Sequence, residues 1–153
     1  FKPGAVIGGG GGYSTQPTAD AVGHDKIEGV LDVDFTQYLV NTKATPGLEG
    51  FVEAYKKKYG IFPRSGHSLT NYMGSKAILE ALDKAKGFEP DTIGEAAKAI
   101  DIADGTTATG YGIKFGANNQ NERAKMMGMQ WQGGKLVTVY PDEAATAPMK
   151  IGK

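Results

Sequence analysis

The five consecutive glycines from Gly8 to Gly12 are the first candidate for chemistry in this sequence. They follow a short apolar run, and a glycine-rich turn after a strand can cradle phosphate with its backbone N–H groups. A phosphate-binding loop ends in Gly-Lys-Ser/Thr, whereas Gly12 is followed by Tyr13 and Ser14. The dinucleotide-binding pattern also fails, because its third glycine would fall on Tyr13. The run therefore predicts either a turn whose backbone approaches a ligand closely or a plain flexible turn.

Nucleophilic, acid–base and metal chemistry find little support in the other residue types. The chain has no cysteine and two histidines, and no serine lies in the strained Gly-x-Ser-x-Gly turn. We expect His24, in the polar turn Gly23-His24-Asp25, to be a solvated loop residue, and His67 to precede a helix. The carboxylates are scattered along predicted helices and form neither an acid–base pair nor a metal-ligand set. We therefore expect no catalytic residue, no metal, no cofactor and no enzyme activity.

Length and composition predict a folded protein that neither binds nucleic acid nor contains a membrane-spanning segment. The chain has 153 residues, of which 40% are hydrophobic and 22% charged, enough for a packed core. Seventeen basic residues balance seventeen acidic ones, so no net field favours nucleic acid. No apolar stretch approaches the roughly 18 residues that a membrane span needs. The start at Phe1, without a signal peptide, leads us to expect a fragment or a processed product.

The order of predicted elements is β-α-β-α-α-α-β followed by a β-hairpin, which indicates an α/β layered fold. The predicted strands and helices, in chain order, are a buried strand at 5–7, a short helix at 18–22, a strand at 29–35, helices at 46–59, 68–86 and 92–100, and strands at 111–115, 126–132 and 135–140. Gly133-Gly134 is a strong two-residue hairpin signal between the last two strands. The tail after Pro141 is expected to be a mobile or surface segment.

Local signals predict where the helices begin and which face is apolar. Thr45-Pro46 indicates the start of the first long helix, and Gly60 its end. A capping box, Thr92 with Glu95, indicates the start of the third. In the helix between them, apolar and small residues recur at 3-4-3 spacing on one face: Tyr72, Ser75, Leu79 and Leu82.

Aromatic residues stand where an α/β fold usually forms its ligand crevice. Tyr13 follows the glycines, Phe35 ends the second strand, and Tyr72 lies near the start of a helix. Strand ends and helix N-termini line such crevices. The alternative is that Phe35 and Tyr72 belong to the core, and for Tyr72 the two interpretations are equally supported.

Six stretches, in order along the chain, together resemble one family. They are AVIGGGGGY (5–13), EGVL (28–31), FVEAYK with Tyr59, Gly60 and Pro63 (51–63), NY to EALDKA (71–85), GIKF (112–115) and QWQ to LVTVYP (130–141). This ordered set resembles the C-terminal part of the solute-binding proteins of branched-chain amino acid (Leu/Ile/Val-type) ABC transporters. Each stretch alone is a weak signal, and the set runs through nearly the whole chain.

The resemblance implies a type I periplasmic-binding-protein-like fold, in which two α/β lobes are joined by hinge strands and enclose the ligand. Residues 1–33 plus 130–153 would be part of the second lobe, and residues 34–129 the C-terminal half of the first. The implied function is a periplasmic import receptor that captures its ligand by hinge closure and delivers it to the membrane permease of an ABC transporter. The alternative is the ligand-sensing domain of a receptor or regulator with the same fold.

The resemblance also implies the kind of ligand. Family members that bind α-amino acids often carry an acidic residue, for the ligand's ammonium, at the position that matches Gly10. Because a buried ammonium without a partner is costly, a small carboxylic acid without the amine, aliphatic or aromatic, fits better than a plain amino acid. The expected ligand-binding residues are Gly10, Gly11, Tyr13, Phe35, His67 and Tyr72. A chain that lacks part of its lobes should also expose apolar helix faces and self-associate.

Overall fold

The computed structural model describes residues 3–151, so residues 1–2 and 152–153 of the predicted lobe segments lie outside the described residues. The strands are β1 (Ile7–Gly9), β2 (Leu31–Asp34), β3 (Asp101–Ile102), β4 (Ile113–Lys114), β5 (Met127–Gln132) and β6 (Lys135–Tyr140). The helices are α1 (Gln16–Val22), α2 (His24–Ile27), α3 (Leu48–Tyr59), α4 (Gly66–Lys84) and α5 (Pro90–Lys98). The predicted element order is confirmed, with α2 and β3 added to it.

The main sheet has four strands in the order β1-β2-β5-β6, and β3 pairs with β4 separately. β1 runs parallel to β2, with Ile7 opposite Leu31, whereas β5 is antiparallel to both of its neighbours. The predicted hairpin is confirmed, because Gly133 and Gly134 turn β5 into β6 with φ of 60° and 74°. Two successive positive φ values match the twist of the strands and favour glycine.

The first strand differs from its prediction. The apolar run 5–7 is not a buried strand, since β1 begins only at Ile7 and includes two glycines. Val6 and Ile7 are 46% and 66% exposed. The physical reason is position: β1 is the outer strand of the sheet, and β2 is its one partner among the described strands.

Three hydrophobic clusters form the core. One joins α3, α4 and the start of β5 through Leu48, Leu69, Met73 and Met127. A second joins α4 to β4 through Ala77, Ala81, Ile100 and Ile113. The third packs α1 and α2 on β5 through Ala19, Ile27 and Trp131. Among residues 3–151, no helix combines the length and apolar character needed to cross a membrane.

The buried face of α4 is not the one that the 3-4-3 spacing predicted. Tyr72 and Leu79 are 42% and 65% exposed. The face that packs on the core repeats every fourth residue and consists of Leu69, Met73, Ala77 and Ala81. The small Ala77 and Ala81 allow close approach to α5 and β4, whereas Leu79 of the same helix lies outside. The helix also starts two residues earlier than predicted.

Two predicted helix starts are wrong. α3 begins at Leu48 after Gly47, whose φ of 88° no other residue adopts as easily, and Thr45 is buried instead of capping the helix. α5 begins at Pro90, so Thr92 lies inside its first turn and the Thr92–Glu95 capping box does not form. The predicted end of α3 is confirmed, since Gly60 has φ of 72° and donates its N–H to Lys56 O.

The tail after Pro141 is a surface segment, as predicted, and it is anchored to the body of the protein. Ala144 is buried and accepts a hydrogen bond from the N–H of Asn41 at 2.8 Å. Further along, Lys150 O accepts one from Gln130 Nε2 at 2.7 Å. These backbone partners explain why an alanine- and proline-rich segment without regular structure is held in place.

The buried face of α4 leads to a prediction about the stability of the protein. Leu69→Ala should lower the free energy of unfolding by about 2–5 kcal/mol, because it opens a cavity at a fully buried site. The matched control in the same helix, Leu79→Ala, should change it by less than about 0.5 kcal/mol. Urea denaturation followed by circular dichroism measures both, and a larger loss for Leu79→Ala would contradict the assigned face.

Candidate functional site

The glycine turn, residues 9–12, closes over the end of β2. The N–H of Gly10, whose φ is 86°, donates to Val33 O at 3.1 Å. Tyr13 N–H then donates back to Gly10 O at 3.2 Å. The turn therefore places glycine backbone, with no side chains, next to the end of β2, where Phe35 follows.

The turn also contacts the start of α4. A Cβ added to Gly11 would lie 2.9 Å from His67 Cε1, so the absence of a side chain lets the imidazole approach the backbone. The φ of Gly11 is not positive, and space therefore accounts for this glycine better than conformation. The rings of Phe35 and His67 meet edge to face at 5.1 Å and 84°. Four predicted residues thus lie together: Gly10, Gly11, Phe35 and His67.

Tyr13 lies at the end of the same turn. Its ring packs on Gly8, where any Cβ would overlap the ring, and it is 46% exposed. Its carbonyl accepts a hydrogen bond from Trp131 Nε1 at 2.8 Å, which fixes the turn to β5. Tyr13 is thus held beside the four-residue group with its ring accessible to solvent.

Tyr72 lies in a different group of aromatic rings. Its ring pairs with Phe51 of α3 at 4.9 Å, and Lys76 Nζ stands 5.6 Å from its centroid. Five residues separate Tyr72 from His67, which places it about 140° further round the helix. The structure therefore does not bring Tyr72 to His67. His24, expected in a loop, is helical and exposed, with its Nε2 3.1 Å from Asp20.

A buried carboxylate beneath the turn was not expected from the sequence. Ser14 Oγ donates to Asp34 Oδ2 at 2.5 Å, and the N–H of Phe35 donates to Asp34 Oδ1 at 2.8 Å. Asp34 is 1% exposed, so these hydrogen bonds to a charged acceptor are shielded from water. They fix the end of the glycine turn to the end of β2.

Asp32 lies two residues earlier on the same face of β2. It is fully buried, and neither of its carboxyl oxygens has a hydrogen-bond partner among the described residues. Burial, followed by the charge of Asp34, raises the pKa of Asp32 above its ordinary value. The alternation Leu31-Asp32-Val33-Asp34 is the sequence signal that could have revealed this pair, because a period of two places both carboxyls on one face.

The arrangement can hold a ligand more readily than transform one. It offers a glycine backbone, the aromatic rings of Tyr13 and Phe35, and the imidazole of His67. Within residues 3–151, no group of three or more histidine, cysteine or acidic side chains could bind a metal ion. Asp34 is shielded and already accepts two hydrogen bonds, so it is not placed to act as a base on a bound molecule.

Comparison with known proteins shows the family of this chain. A family model described as "Periplasmic binding protein" matches residues 2–135. The chain belongs to this family. Leu/Ile/Val-binding protein homolog 8 of Brucella abortus (strain 2308) is 72% identical over 153 residues, 100% of this chain and 38% of that protein. Homolog 7 of Brucella suis biovar 1 (strain 1330) is 68% identical over 151 residues, 99% of this chain and 38% of its own. The predicted resemblance is confirmed, and the chain spans about 38% of the length of these relatives.

Solved structures confirm the fold. The leucine binding protein LivK from Thermotoga maritima matches 87% of this chain and 36% of its own with a TM-score of 0.67 at 22% identity. A putative branched-chain amino acid ABC transporter from Silicibacter pomeroyi matches 97% of this chain and 41% of its own with a TM-score of 0.70 at 16% identity. The chain therefore has part of the type I periplasmic-binding-protein fold predicted for it.

The buried Asp32 makes a prediction about pH. Because its pKa is higher in the folded state than the ordinary value of 3.8, the folded state binds more protons between those two values. The free energy of unfolding therefore falls as pH rises through that window, and the penalty persists at neutral pH. Asp32→Asn removes this penalty and should melt at a higher temperature than the wild type at pH 7.

The measurement is the melting temperature as a function of pH. The advantage of Asp32→Asn should shrink as the pH falls toward the ordinary value of 3.8, because the raised pKa of Asp32 means that the folded wild type takes up its proton above that pH. Asp83→Asn, at an exposed position of α4, is the control and should leave the profile unchanged. A wild-type protein that is more stable than Asp32→Asn at neutral pH would contradict the assignment.

Proposed function

We propose that the chain is part of the solute-binding component of an ABC importer. It works in the periplasm, captures a small carboxylic acid or an amino acid-like ligand by hinge closure, and delivers it to a membrane permease. Family membership supports the class of function, and the names of the relatives favour a binding protein over a regulator of the same fold. The observation that carries the proposed ligand cleft is the contact of the Gly11 backbone with His67, whose ring in turn meets that of Phe35.

In this proposal the contact joins two lobes. Residues 1–33 and 130–153 contribute to the second lobe, and residues 34–129 to the first. The separation of the hydrophobic clusters supports the division, since Ala19, Ile27 and Trp131 form their own core. The tail nevertheless contacts the other segment, since Ala144 packs with the core of residues 34–129 and Thr138 Oγ1 donates to Leu39 O at 2.8 Å. The chain crosses between the lobes along Val30 to Phe35 and returns at β5.

The chemistry near the glycine turn supports a ligand without an amine. Asp34 accepts a hydrogen bond from Ser14 at the end of the turn, and both Asp32 and Asp34 are buried. An ammonium at the turn would therefore meet glycine backbone and the edges of Phe35 and His67. A carboxylate with an aliphatic or aromatic tail would instead place its apolar part against these rings. Tyr13 and Tyr72 remain proposed contacts of the ligand.

Glycine substitutions test the cleft. A thermal-shift assay on the full-length protein screens a panel of amino acids, the corresponding acids without the amine, short amides and nucleotides. We expect one or more of the acids without the amine to raise the melting temperature. Gly11→Val should weaken binding of that ligand by at least about tenfold, because its side chain would displace the His67 imidazole that lies against the Gly11 backbone. The matched control is Gly12→Ala, whose Cβ would meet nothing within 4 Å, and it should bind like the wild type.

Each outcome of the panel has a distinct meaning. Stabilisation only by α-amino acids would keep the binding function and contradict the inference from Gly10. Stabilisation only by nucleotides would contradict the function itself. Equal binding by Gly11→Val and the wild type would show that the ligand does not lie at this turn.

The 153-residue chain by itself should self-associate. Ile78, Leu79 and Phe88 are 62%, 65% and 88% exposed, and two of them are neighbours on the outer face of α4. Exposed apolar residues this close together favour association with another copy. Sedimentation velocity should show species larger than the monomer at high concentration, and Leu79→Glu should reduce them. A single monomeric species at all concentrations would contradict the proposal.

A further inference from the structure

Positive charge is concentrated in residues 54–79. The whole chain carries seventeen basic and seventeen acidic residues, whereas this stretch contains no acidic residue. Five basic residues lie in it: Lys56, Lys57, Lys58, Arg64 and Lys76. All five are exposed, and none forms an ion pair with another described residue. A protein without net charge therefore carries a strongly basic surface on α3 and at the start of α4.

Apolar side chains are exposed beside these cations, where α3 ends. Tyr59, Ile61 and Phe62 are 55%, 43% and 49% exposed. They flank Gly60, which ends the helix, and residues 61–65 then lead to α4. We call residues 56–62 the basic tip. Exposed apolar side chains this close together mark a surface that contacts another molecule.

Two lysines of the basic tip lie on its aromatic rings. Lys56 Nζ stands 5.1 Å from the centroid of the Phe62 ring, and Lys58 Nζ stands 5.4 Å from that of Tyr59. The Tyr59 ring in turn packs on Tyr55, with 4.6 Å between the centroids. Cations and exposed rings are thus held side by side. This arrangement suits the boundary between an apolar and an aqueous phase, where lysine keeps its charged end in water.

The helix dipole explains the lysines but not the apolar side chains. Basic residues in the last turn of α3 are favourable, because the C-terminal end of a helix carries partial negative charge. Ile61 and Phe62 follow the end of the helix, and their exposure to water is unfavourable. A partner that offers both negative charge and hydrocarbon would account for the two features together.

The chemistry of the basic tip favours a phospholipid surface over an acidic protein. Its cations are all lysines, which act as point charges and meet phosphates without a fixed geometry. Arginine supplies the bidentate geometry that recognises a single carboxylate. Apolar side chains that enter the boundary between headgroups and acyl chains, next to lysines that meet anionic headgroups, are typical of peripheral membrane binding.

We propose that the basic tip binds the surface of an anionic phospholipid bilayer. The apolar side chains of residues 59–62 enter the headgroup boundary, and the lysines of residues 56–58 meet the lipid phosphates. Because the tip precedes α4, this contact places the start of that helix, with His67, near the bilayer. None of the residues assigned to the cleft belongs to the tip, so the proposal does not depend on the identity of the ligand.

Vesicle co-sedimentation of the full-length protein tests the proposal. Vesicles of equal parts phosphatidylglycerol and phosphatidylcholine should bind the wild type. Vesicles of pure phosphatidylcholine should bind it at least about tenfold more weakly, because they lack the negative surface potential. Raising the salt concentration from about 0.1 M to about 1 M should release the protein from the mixed vesicles, since salt screens the attraction.

Paired charge variants locate the binding surface. Lys57→Gln/Lys58→Gln should weaken binding to the mixed vesicles at least about tenfold, because each lysine near an anionic surface contributes about fivefold. The matched control, Lys86→Gln/Lys98→Gln, removes the same charge at exposed positions outside the tip and should bind like the wild type. All four positions are exposed, so folding should be retained, and the melting temperature verifies this.

A second pair of variants tests the apolar contact. Ile61→Ser should weaken binding to the mixed vesicles by about fivefold, because a smaller apolar side chain area enters the bilayer. Val22→Ser, at a similarly exposed apolar position of α1, should bind like the wild type.

Four results would overturn the proposal. The first is the absence of binding to the mixed vesicles, and the second is equal binding to both kinds of vesicle. The third is equal binding by the two charge variants. The fourth is binding of soluble polyglutamate without binding to vesicles, which would assign the basic tip to an acidic protein.

Discussion

The hydrogen bond from Ser14 to Asp34 is the interaction on which the rest of the site depends. It joins the end of the glycine turn to the end of β2 at 2.5 Å, inside the protein. The turn contacts His67 through Gly11, so the position of the turn decides whether its backbone and the imidazole meet. A hydrogen bond to a buried carboxylate is strong enough to hold a segment of glycines that has little conformational preference of its own.

A second buried carboxyl on β2, that of Asp32, lowers the stability of the folded protein. Asp32 shares the face of β2 with Asp34 and has no hydrogen-bond partner among the described residues, so its ionised form is disfavoured by burial and by the neighbouring charge. Marginal stability makes such a penalty significant for a domain of this size. Proteins retain unfavourable buried groups where a precise backbone position is needed, and β2 is the strand that leads from the glycine turn to Phe35.

The residue types in the sequence predicted the turns correctly, but they did not predict which faces of the helices and strands are buried. Gly60 and the Gly133-Gly134 pair were identified because positive φ values favour glycine wherever they occur. The exposed face of α4, with Leu79, and the exposed strand β1 were mispredicted, since both depend on which elements pack nearby. For the site, four of six predicted residues lie together. Tyr72 lies elsewhere because its helical phase differs from that of His67. The alternation of residues 31–34 signals the Asp32–Asp34 pair, but the hydrogen bond from Ser14 to Asp34 was not predictable, because it joins residues far apart in sequence.

The central claim is that the backbone of the glycine turn and the rings of Phe35 and His67 form the wall of the ligand cleft. A crystal structure of the full-length protein, grown with the molecule that stabilises it most, tests this directly. We expect the ligand to lie within van der Waals contact of Gly11 and His67, with its apolar part against Phe35. A ligand bound elsewhere, out of contact with both Gly11 and His67, would contradict the account.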